Sequence, residues 1–248
     1  MAVDYAALKA GGFMRQKQKD TFSLRLRVVG GNVTVEQLET IAAVAKKYGH
    51  DYIHLTSRQG VEIPFIQLND IEEVKTELAE GGVFPGASGP KVRTVTACQG
   101  GQCCPSGCID ALDIAQGLDA RYFGRRLPHK FKFGVTGCPN NCLKAEENDL
   151  GVKGALTPHW NESACVFCGA CGRACRDAAV TVGESAVTID TDKCRNCGRC
   201  VKACPTGAME GENGYLVSFG GTFGNHIQKG SALLPLIRDK ERSEERRV

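Results

Sequence analysis

The fold of this chain is decided by two stretches, TACQGGQCCPSGCID at 96–110 and KFKFGVTGCPNNCLKA at 130–145. They space four cysteines as C-x5-C and then C-x3-C, namely Cys98, Cys104, Cys138 and Cys142. A [4Fe–4S] cluster needs four thiolates that converge on one cube, and two close pairs on separate loops can supply them. The alternatives are a zinc site, although zinc favours C-x2-C knuckles, and a set of buried thiols.

The composition of the whole chain excludes several classes of protein. Its 248 residues, 42% of them hydrophobic, suffice for one large domain or two to three small ones. The net charge of only +3 argues against a dedicated nucleic-acid binder. The chain contains no run of about 18 apolar residues, so no membrane-spanning helix is predicted. The N-terminus lacks the pattern of a secretory signal. Twelve of the fourteen cysteines fall into metal-ligand spacings, which indicates a reducing, cytoplasmic metalloprotein.

The first clear element is a strand at 22–28, after a polar lead-in at 1–20 that carries little signal. Apolar and polar residues alternate along it, which predicts a half-buried strand with Arg25 and Arg27 on its second face. Two glycines at 30–31 then predict a turn.

A helix is predicted after this turn. Thr34 with Gln37 matches a capping box at its start, and the helix should end near Gly49. Its inward stripe is predicted to include Leu38, Ile41, Ala42 and Ala45.

Two further strands are predicted at 52–56 and 61–68. Pro64 inside the second indicates an edge position or a bulge. Asp70 can cap a second helix. The residues of that helix predicted to face the core are Ile71, Val74 and Leu78. The order β-α-β-β-α is most of a ferredoxin-like α+β sandwich.

A breaker-rich linker, GGVFPGASG at 81–89, places a domain boundary near residue 88. Beyond it, Lys130 to Phe133 alternate, so that a strand there would put Lys130 and Lys132 on one face.

The composition changes from about residue 160, where a C-x2-C-x2-C-x3-C run occurs twice with an offset of 29 residues. The pattern resembles bacterial two-cluster ferredoxins, in which the fourth cysteine of each run ligates the other cluster. Pro205 follows the second run as in that family, whereas Arg176 follows the first. The resemblance implies one cluster on Cys165, Cys168, Cys171 and Cys204, and another on Cys194, Cys197, Cys200 and Cys175.

The opening cysteine pattern resembles the cluster-binding signature of the sirohaem-dependent sulfite and nitrite reductases. The match extends through Gly107, Asp110, Gly137, Pro139 and Asn140. In that family the last cysteine, here Cys142, also bridges the cluster to the sirohaem iron. Cys103 and Cys108 flank Cys104; the C-x5-C register favours Cys104 as the ligand, and the other two are interpreted as packing cysteines.

The same resemblance implies four basic residues that bind the anionic substrate. Arg25 lies in LRLRVVGG, Arg93 precedes the first cysteine pair, and Lys130 with Lys132 lies in LPHKFK. Positive side chains can stabilise charge that develops on a small oxyanion. Taken singly, each could instead be an ordinary solvent-facing side chain.

The cofactor loops are also implied by the resemblance. Sirohaem carries eight carboxylates, so its pocket should be rich in donors. LTSRQG at 55–60 makes Arg58 a candidate, and His54 is either a second donor or a packed strand histidine. GYLVSFGGTFGNHI at 214–227 resembles the family's sirohaem-contacting segment or is an ordinary hairpin. Its candidate contacts are Gly220, Gly221 and Gly224.

We therefore predict an α+β fold: a ferredoxin-like sandwich plus a sirohaem/[4Fe–4S] reductase domain with an inserted two-cluster ferredoxin module. The N-terminal reductase subdomain is 1–88, the reductase domain is 89–159 with 212–248, and the inserted module is 160–211. The expected reaction is six-electron reduction of sulfite to sulfide. Ferredoxin insertions of this kind resemble those of dissimilatory-type sulfite reductases, which favours sulfite over nitrite.

Alternatives remain open at this point. Nitrite reduction is possible within the same family, and a non-catalytic carrier with three [4Fe–4S] clusters is possible outside it. Residues 160–211 hold six acidic and six basic side chains, whereas soluble ferredoxins tend to be acidic, which mildly favours a docked internal module. The expected partners are the oxyanion, an unidentified electron donor and further copies of this chain in a homo-oligomer, with no nucleic acid and no membrane insertion.

Overall fold

The computed structural model describes residues 3–239 and divides into two compact units. The first unit is Met1–Ala97 with Asp113–Phe133, and the second is Cys98–Leu112 with Gly134–Val248. The part of the predicted reductase domain at 240–248 lies outside the described residues. Among the described helices, none is long and apolar enough to cross a membrane.

The first unit is built on a four-stranded antiparallel sheet. Its strands are β1 (Phe13–Arg15), β2 (Thr21–Arg25), β3 (His54–Leu55) and β4 (Val61–Gln67). They lie side by side in the order β1-β2-β4-β3. Its helices include α1 (Tyr5–Ala10), α2 (Val35–Tyr48) and α3 (Ile71–Glu80). This is the predicted ferredoxin-like sandwich, but its fourth strand comes from the N-terminus. The polar lead-in gave no sign of α1 or β1.

Helix α2 begins at the predicted capping box, which is confirmed. Thr34 N–H donates to Gln37 Oε1 over 3.0 Å, and Gln37 N–H donates to Thr34 Oγ1 over 3.2 Å. The helix buries Ile41, Val44 and Ala45. The predicted stripe was wrong at Leu38 and Ala42, which are exposed, because the face toward the sheet is rotated to include Val44.

Helix α3 buries Ile71, Val74 and Leu78, as predicted. Asp70 stands at its N-cap, but the Asp70 side chain makes no capping hydrogen bond, so that part of the prediction was wrong. Each fully buried side chain of this size contributes about 1.5–3 kcal/mol to folding.

Pro64 lies in the central strand β4, at a bulge. Phe22 pairs with Ile66 and Leu24 pairs with Ile63, so two residues of β4 oppose one residue of β2. The bulge interrupts the regular hydrogen-bond ladder at Pro64, which has no N–H to donate. Because β4 lies between β2 and β3, the predicted alternative of an edge strand is excluded. The predicted strand at 52–56 is reduced to His54–Leu55.

The first unit also contains the short strand β5 (Thr96–Ala97) and most of helix α4 (Ala111–Tyr122). Asp119 of α4 is 1% exposed and pairs with the Arg27 guanidinium over 2.7 Å. Asp119 Oδ1 also accepts a hydrogen bond from Val95 N–H over 3.0 Å. Arg27 lies 4.1 Å from the centre of the Phe123 ring. These contacts attach α4 to the segment that follows β2.

The second unit is organised by long antiparallel strands. The strands are β6 (Phe133–Thr136), β7 (Leu150–Trp160), β10 (Met209–Phe219) and β11 (Ser231–Ile237). They lie side by side in the order β11-β10-β7-β6. The strand predicted from Lys130 begins only at Phe133. Lys130 is exposed and Lys132 is half-buried, so they do not share a strand face as predicted.

The segment with eight cysteines connects the paired ends of β7 and β10. Trp160 pairs with Met209, and the ladder runs on to Leu150 and Phe219. The connection contains α5 (Ala170–Ala174), β8 (Val180–Val182), β9 (Val187–Ile189) and α6 (Arg199–Lys202). Strands β8 and β9 form their own two-stranded sheet. A compact module is therefore attached at the end of one long hairpin.

Candidate iron–sulfur and anion sites

The two loops that carry the first four cysteines pack backbone against backbone at glycines. A Cβ at Gly137 would lie 2.6 Å from Gly100 Cα, and a Cβ at Gly107 would collide with Gly101. Gly100 has a φ of +64°, which favours glycine. Gly137 N–H donates to Cys98 Sγ over 3.0 Å. Only glycine permits this approach, and the approach is what brings the two cysteine pairs together.

Cys98, Cys104, Cys138 and Cys142 lie near one another, and we call this group the central site. Burial raises the pKa of Cys138, and the thiolates of Cys104, Cys142 and Cys98 add to this shift. Among residues 3–239, no three His, Cys, Asp or Glu side chains are close enough to share one metal ion. The four corners of a cube do not require such close spacing, so the donor set fits an iron–sulfur cluster.

Asn141 fixes the loop between Cys138 and Cys142, and the sequence did not single it out. Asn141 has a φ of +54°. Its Oδ1 accepts from Ala145 N–H over 2.8 Å, and its Nδ2 donates to Glu146 over 3.2 Å. An Asx residue before a turn is the signal that could have identified it.

The two cysteine runs of the module share one backbone shape. Three pairs of left-handed residues recur with the 29-residue offset of the sequence. They are Phe167 and Asn196, Gly169 and Gly198, and Ala178 and Gly207. Because non-glycine residues rarely adopt this conformation, the agreement shows a structural repeat.

Cys165, Cys168, Cys171 and Cys204 line a small cavity; we call this group the first-motif site. Burial raises the pKa of Cys171, to which Cys204 and Cys165 contribute. Burial acts to raise the pKa of Cys204, but hydrogen bonds, led by one from Met209 N–H, lower it overall. Apolar side chains complete the lining, including Val166, Phe167, Val182 and Val187.

Cys194, Cys197, Cys200 and Cys175 form the second-motif site. Burial raises the pKa of Cys194, with further contributions from Cys197 and Cys175. Burial also raises the pKa of Cys200 to about 11. Ala179 N–H donates to Cys175 Sγ over 3.2 Å. The fourth cysteine of each run thus lies with the first three of the other run.

The two remaining cysteines differ. Cys103 is exposed, so its interpretation as a packing cysteine was wrong. Cys108 is half-buried, and its sulfur lies 3.9 Å from the carbonyl oxygen of Cys197.

The glycine-rich segment after β10 lies against the loop that follows Cys142. A Cβ at Gly221 would collide with the carbonyl oxygen of Glu146, and Gly220 has a φ of +80°. Gly224 has open space around it. Packing therefore explains Gly221, and a turn explains Gly220. Their predicted contact with sirohaem remains a prediction.

In the first unit, Arg25 and Arg93 form a pair of neighbouring cations. Burial lowers the pKa of Arg93, and the charge of Arg25 adds to the effect. Arg93 donates to the carbonyl oxygens of Ala87 and Gly89 over 3.2 and 3.1 Å. Its Nε is buried and has no hydrogen-bond partner among the described residues. A half-buried guanidinium beside a second cation suits an anion.

Three side chains follow one row of the first sheet. Arg25 on β2 and His54 on β3 both pair in register with Glu62 on β4. Arg25 forms an ion pair with Glu62, whose other oxygen accepts from Ser23 over 3.2 Å. Glu62 therefore orients Arg25, a role that the sequence pattern did not indicate. His54 is exposed, which excludes the packed-histidine alternative.

The LTSRQG loop is attached to the segment that leads into Cys98. Arg58 Nη2 donates to Thr94 O over 3.3 Å. Gln59 makes two bonds with Ala97, donating from Nε2 over 2.8 Å and accepting at Oε1 over 3.0 Å. Gln59 is a positioning residue that sequence reasoning missed, because its partner lies 38 residues away.

Comparison with known families gives two matches along the chain. A family model for the nitrite/sulfite reductase ferredoxin-like half domain matches residues 14–81. A model for the nitrite and sulphite reductase 4Fe-4S domain matches residues 88–244. The second match begins at residue 88.

Two individual proteins that resemble this chain are also named as sulfite or nitrite reductases. The chain is 35% identical to a coenzyme F420-dependent sulfite reductase of Methanocaldococcus jannaschii over 221 residues, 88% of this chain and 36% of that protein. It is 37% identical to the large subunit of a nitrite reductase [NAD(P)H] of Klebsiella oxytoca over 150 residues, 60% of this chain and 16% of that one. The chain thus spans only a minor part of each of these two relatives.

The fold also matches a solved structure. The crystal structure of dissimilatory sulfite reductase I aligns with a TM-score of 0.71 at 23% identity, covering 91% of this chain and 60% of that chain. At this identity the likeness concerns the fold alone.

Proposed function

Because this chain belongs to the nitrite and sulfite reductase family, we propose that it reduces sulfite to sulfide with sirohaem and [4Fe–4S] clusters as cofactors. The observation that carries the proposal is the convergence of Cys98, Cys104, Cys138 and Cys142 around glycine-packed loops. Reduction of one bisulfite consumes six electrons and six protons, and it yields one hydrosulfide and three waters.

The cysteines of the central site would hold one cluster, and Cys142 would be shared with the sirohaem iron. When bound, sirohaem supplies an iron site for the oxyanion and a path for electrons to it. The chain supplies donors for the eight carboxylates of this group. Arg58 is half-buried and His54 is exposed, so both can reach a ligand. The anchored LTSRQG loop holds Arg58 in place through Gln59.

Arg25 and Arg93 would bind the oxyanion and stabilise the negative charge that grows as its oxygens leave. Two cations side by side repel each other, and an anion between them relieves that repulsion. Glu62 compensates part of the charge of Arg25 and orients its guanidinium. Lys130 and Lys132 would add two further cations to the anion site and pass protons to the departing oxygens through water.

The module at 160–211 would deliver electrons through clusters at the first-motif and second-motif sites, giving three clusters in all. What supports this is the repeat of left-handed residues and the exchange of Cys175 and Cys204 between the two runs. Backbone N–H groups donate to both exchanged sulfurs, which raises the reduction potential of a bound cluster by stabilising its extra negative charge.

Nitrite is the second candidate substrate, and the Klebsiella oxytoca relative favours it. Nitrite is also a small oxyanion that takes six electrons, so the same cations would bind it.

We also infer a homo-oligomer in which one copy completes the anion site of another, because larger members of this family contain two related halves. Sedimentation of the holoprotein should give more than one chain per particle. A strictly monomeric active enzyme would contradict this part of the proposal.

The proposal is tested by loading the full chain with iron, sulfide and sirohaem under anaerobic conditions, then assaying it with reduced methyl viologen. Sirohaem absorption bands together with sulfide formed from sulfite are expected. Ammonia formed from nitrite at a much higher kcat/KM than sulfide from sulfite would assign the enzyme to nitrite. Cluster absorption without sirohaem binding or turnover would leave an electron carrier.

A further inference from the structure

The loop of the second cysteine run lies against the loop that carries Cys98 and Cys104. Lys202 Nζ, at the end of α6, donates to the carbonyl oxygens of Pro105 over 2.5 Å and Gly107 over 3.0 Å. Both acceptors lie within three residues of Cys104. One ammonium group therefore holds the module to the central site.

Cys108 completes a route between the two loops. Its sulfur lies 3.9 Å from the carbonyl oxygen of Cys197. Cys108 N–H donates to Gly137 O over 2.7 Å, and Gly137 N–H donates to Cys98 Sγ over 3.0 Å. Short covalent and hydrogen-bonded links thus run from a cysteine of the second-motif site to a cysteine of the central site.

The strand β7 fixes the same loop from its other side. Leu156 N–H donates to Asn196 O over 2.7 Å, and Leu156 forms a bridge with Cys197. Gly198 must be glycine, because a Cβ there would overlap the Leu156 side chain. The position of the second-motif site relative to the central site is therefore set by packing as well as by Lys202.

The first run is oriented differently. Arg173 stands at the position equivalent to Lys202, 29 residues earlier, and donates to Cys168 O within its own run over 3.0 Å. Cys168 is exposed, and Val166 is 64% exposed. The two halves of the repeat have therefore diverged: the second faces the central site and the first faces solvent.

We infer that Lys202 and Cys108 are positioning residues that hold the second-motif cluster at the distance needed to pass electrons to the central cluster. The inference rests on the proposed function, since it assumes clusters at both sites. Each event moves one electron: the second-motif cluster is oxidised by one electron and the central cluster is reduced by one. No proton is transferred, and no covalent bond forms or breaks. An external low-potential donor supplies the electrons, and the exposed first-motif cluster receives them.

The test uses the full chain with its clusters loaded, as wild type, Lys202→Met and Cys108→Val. A photochemical pulse delivers less than one electron per molecule, and rapid-freeze EPR follows its redistribution. A rate that is independent of protein concentration reports transfer within one molecule. We expect Lys202→Met to slow redistribution to the central cluster about tenfold, the lower end of the 10–100-fold losses of metal affinity or activity that follow removal of a supporting residue at a metal site. Cys108→Val should slow it in the same direction, with iron and sulfide contents unchanged.

Two matched controls accompany these variants. Arg173→Met removes the equivalent charge from the first run, and Cys103→Ala removes the exposed neighbour of Cys104. Both should redistribute electrons to the central cluster at the wild-type rate. If the Cys108→Val protein loses a cluster, the test rests on Lys202→Met alone. Lys202 is exposed and is not a cluster ligand, so its replacement should leave the clusters in place.

Wild-type rates in Lys202→Met, or equal slowing in Arg173→Met, would overturn the inference. The readout needs only iron–sulfur clusters. A chain that binds no sirohaem therefore refutes the reductase proposal while the positioning role is still measured.

Discussion

Replacing Gly137 by alanine is expected to remove the cluster of the central site while the module keeps its own clusters. The new Cβ would lie 2.6 Å from Gly100 Cα and 3.3 Å from Gly100 C. Carbon atoms pack at about 3.5–4.0 Å, so one loop must move by roughly 1 Å. Both partners are backbone, and no flexible side chain can yield. The displacement separates Cys98 from Cys138.

The magnitude has two parts. Overpacking of this kind costs about 1–3 kcal/mol of folding free energy. For a chain of this size each kcal/mol lowers Tm by roughly 2–4 °C. With three clusters per chain, loss of the central one removes about a third of the cluster iron.

The assay combines iron and acid-labile sulfide analysis with EPR of the reduced protein. Gly11→Ala is the matched control, because its Cβ would meet Ala7 O at 3.5 Å and Leu8 O at 3.6 Å, both ordinary contacts. The control should keep the full iron content. A Gly137→Ala protein with wild-type iron content and an unchanged spectrum would refute the argument that glycine packing brings the four cysteines together.

Further predictions concern stability and substrate binding. Asp119→Asn breaks the buried pair with Arg27 and should lower the free energy of unfolding by about 3 kcal/mol in denaturant titration; the lower end is expected because Arg27 is partly exposed. The control Asp70→Asn should change the free energy of unfolding by less than about 0.5 kcal/mol, since Asp70 makes no capping bond. Equal losses in the two variants would contradict a stabilising role for the Asp119–Arg27 pair. Thr34→Ala removes the capping box and should cost about 1 kcal/mol by the same titration; no change would show that the cap is dispensable. Arg93→Met should lower kcat/KM for sulfite about a hundredfold in the viologen assay with iron content intact, and an unaltered kcat/KM would remove Arg93 from the anion site.

Features of the fold that depend on near neighbours could be predicted from the sequence. The capping box at the start of α2 joins residues three apart, and it is present as predicted. The face that α2 buries was predicted only in part, because two neighbouring stripes of the helix are similarly apolar. The sheet beneath selects the stripe with Val44 and leaves Leu38 49% exposed.

Other features depend on pairing that no local pattern records. Pro64 allowed an edge or a bulge, and only the register of β2 against β4 distinguishes them. Strand β1 spans three residues, too few for a periodic signal. Its place at the sheet edge is decided by β2, which it pairs with from Phe13 to Arg15.

The candidate site likewise combines features set by near neighbours with features set by contacts between distant residues. The spacing of the cysteines within each run is local and could be read from the sequence, whereas the resemblance to known families implied how the runs combine into groups. The contacts that place the groups are distant in sequence: Gln59 bonds Ala97 across 38 residues, and Lys202 bonds Pro105 across 97. Such pairs carry no sequence signature of their own.

The central claim is that the thiolate of Cys142 is shared between an iron–sulfur cluster and the iron of a tetrapyrrole. The most direct measurement is EPR and Mössbauer spectroscopy of the full chain loaded with clusters and sirohaem, beside Cys142→Ala. Wild type should show the sirohaem iron magnetically coupled to one cluster, and Cys142→Ala should lose this coupling while the module's clusters remain. Clusters at full content with no macrocycle bound, or with an uncoupled sirohaem iron in wild type, would contradict the claim.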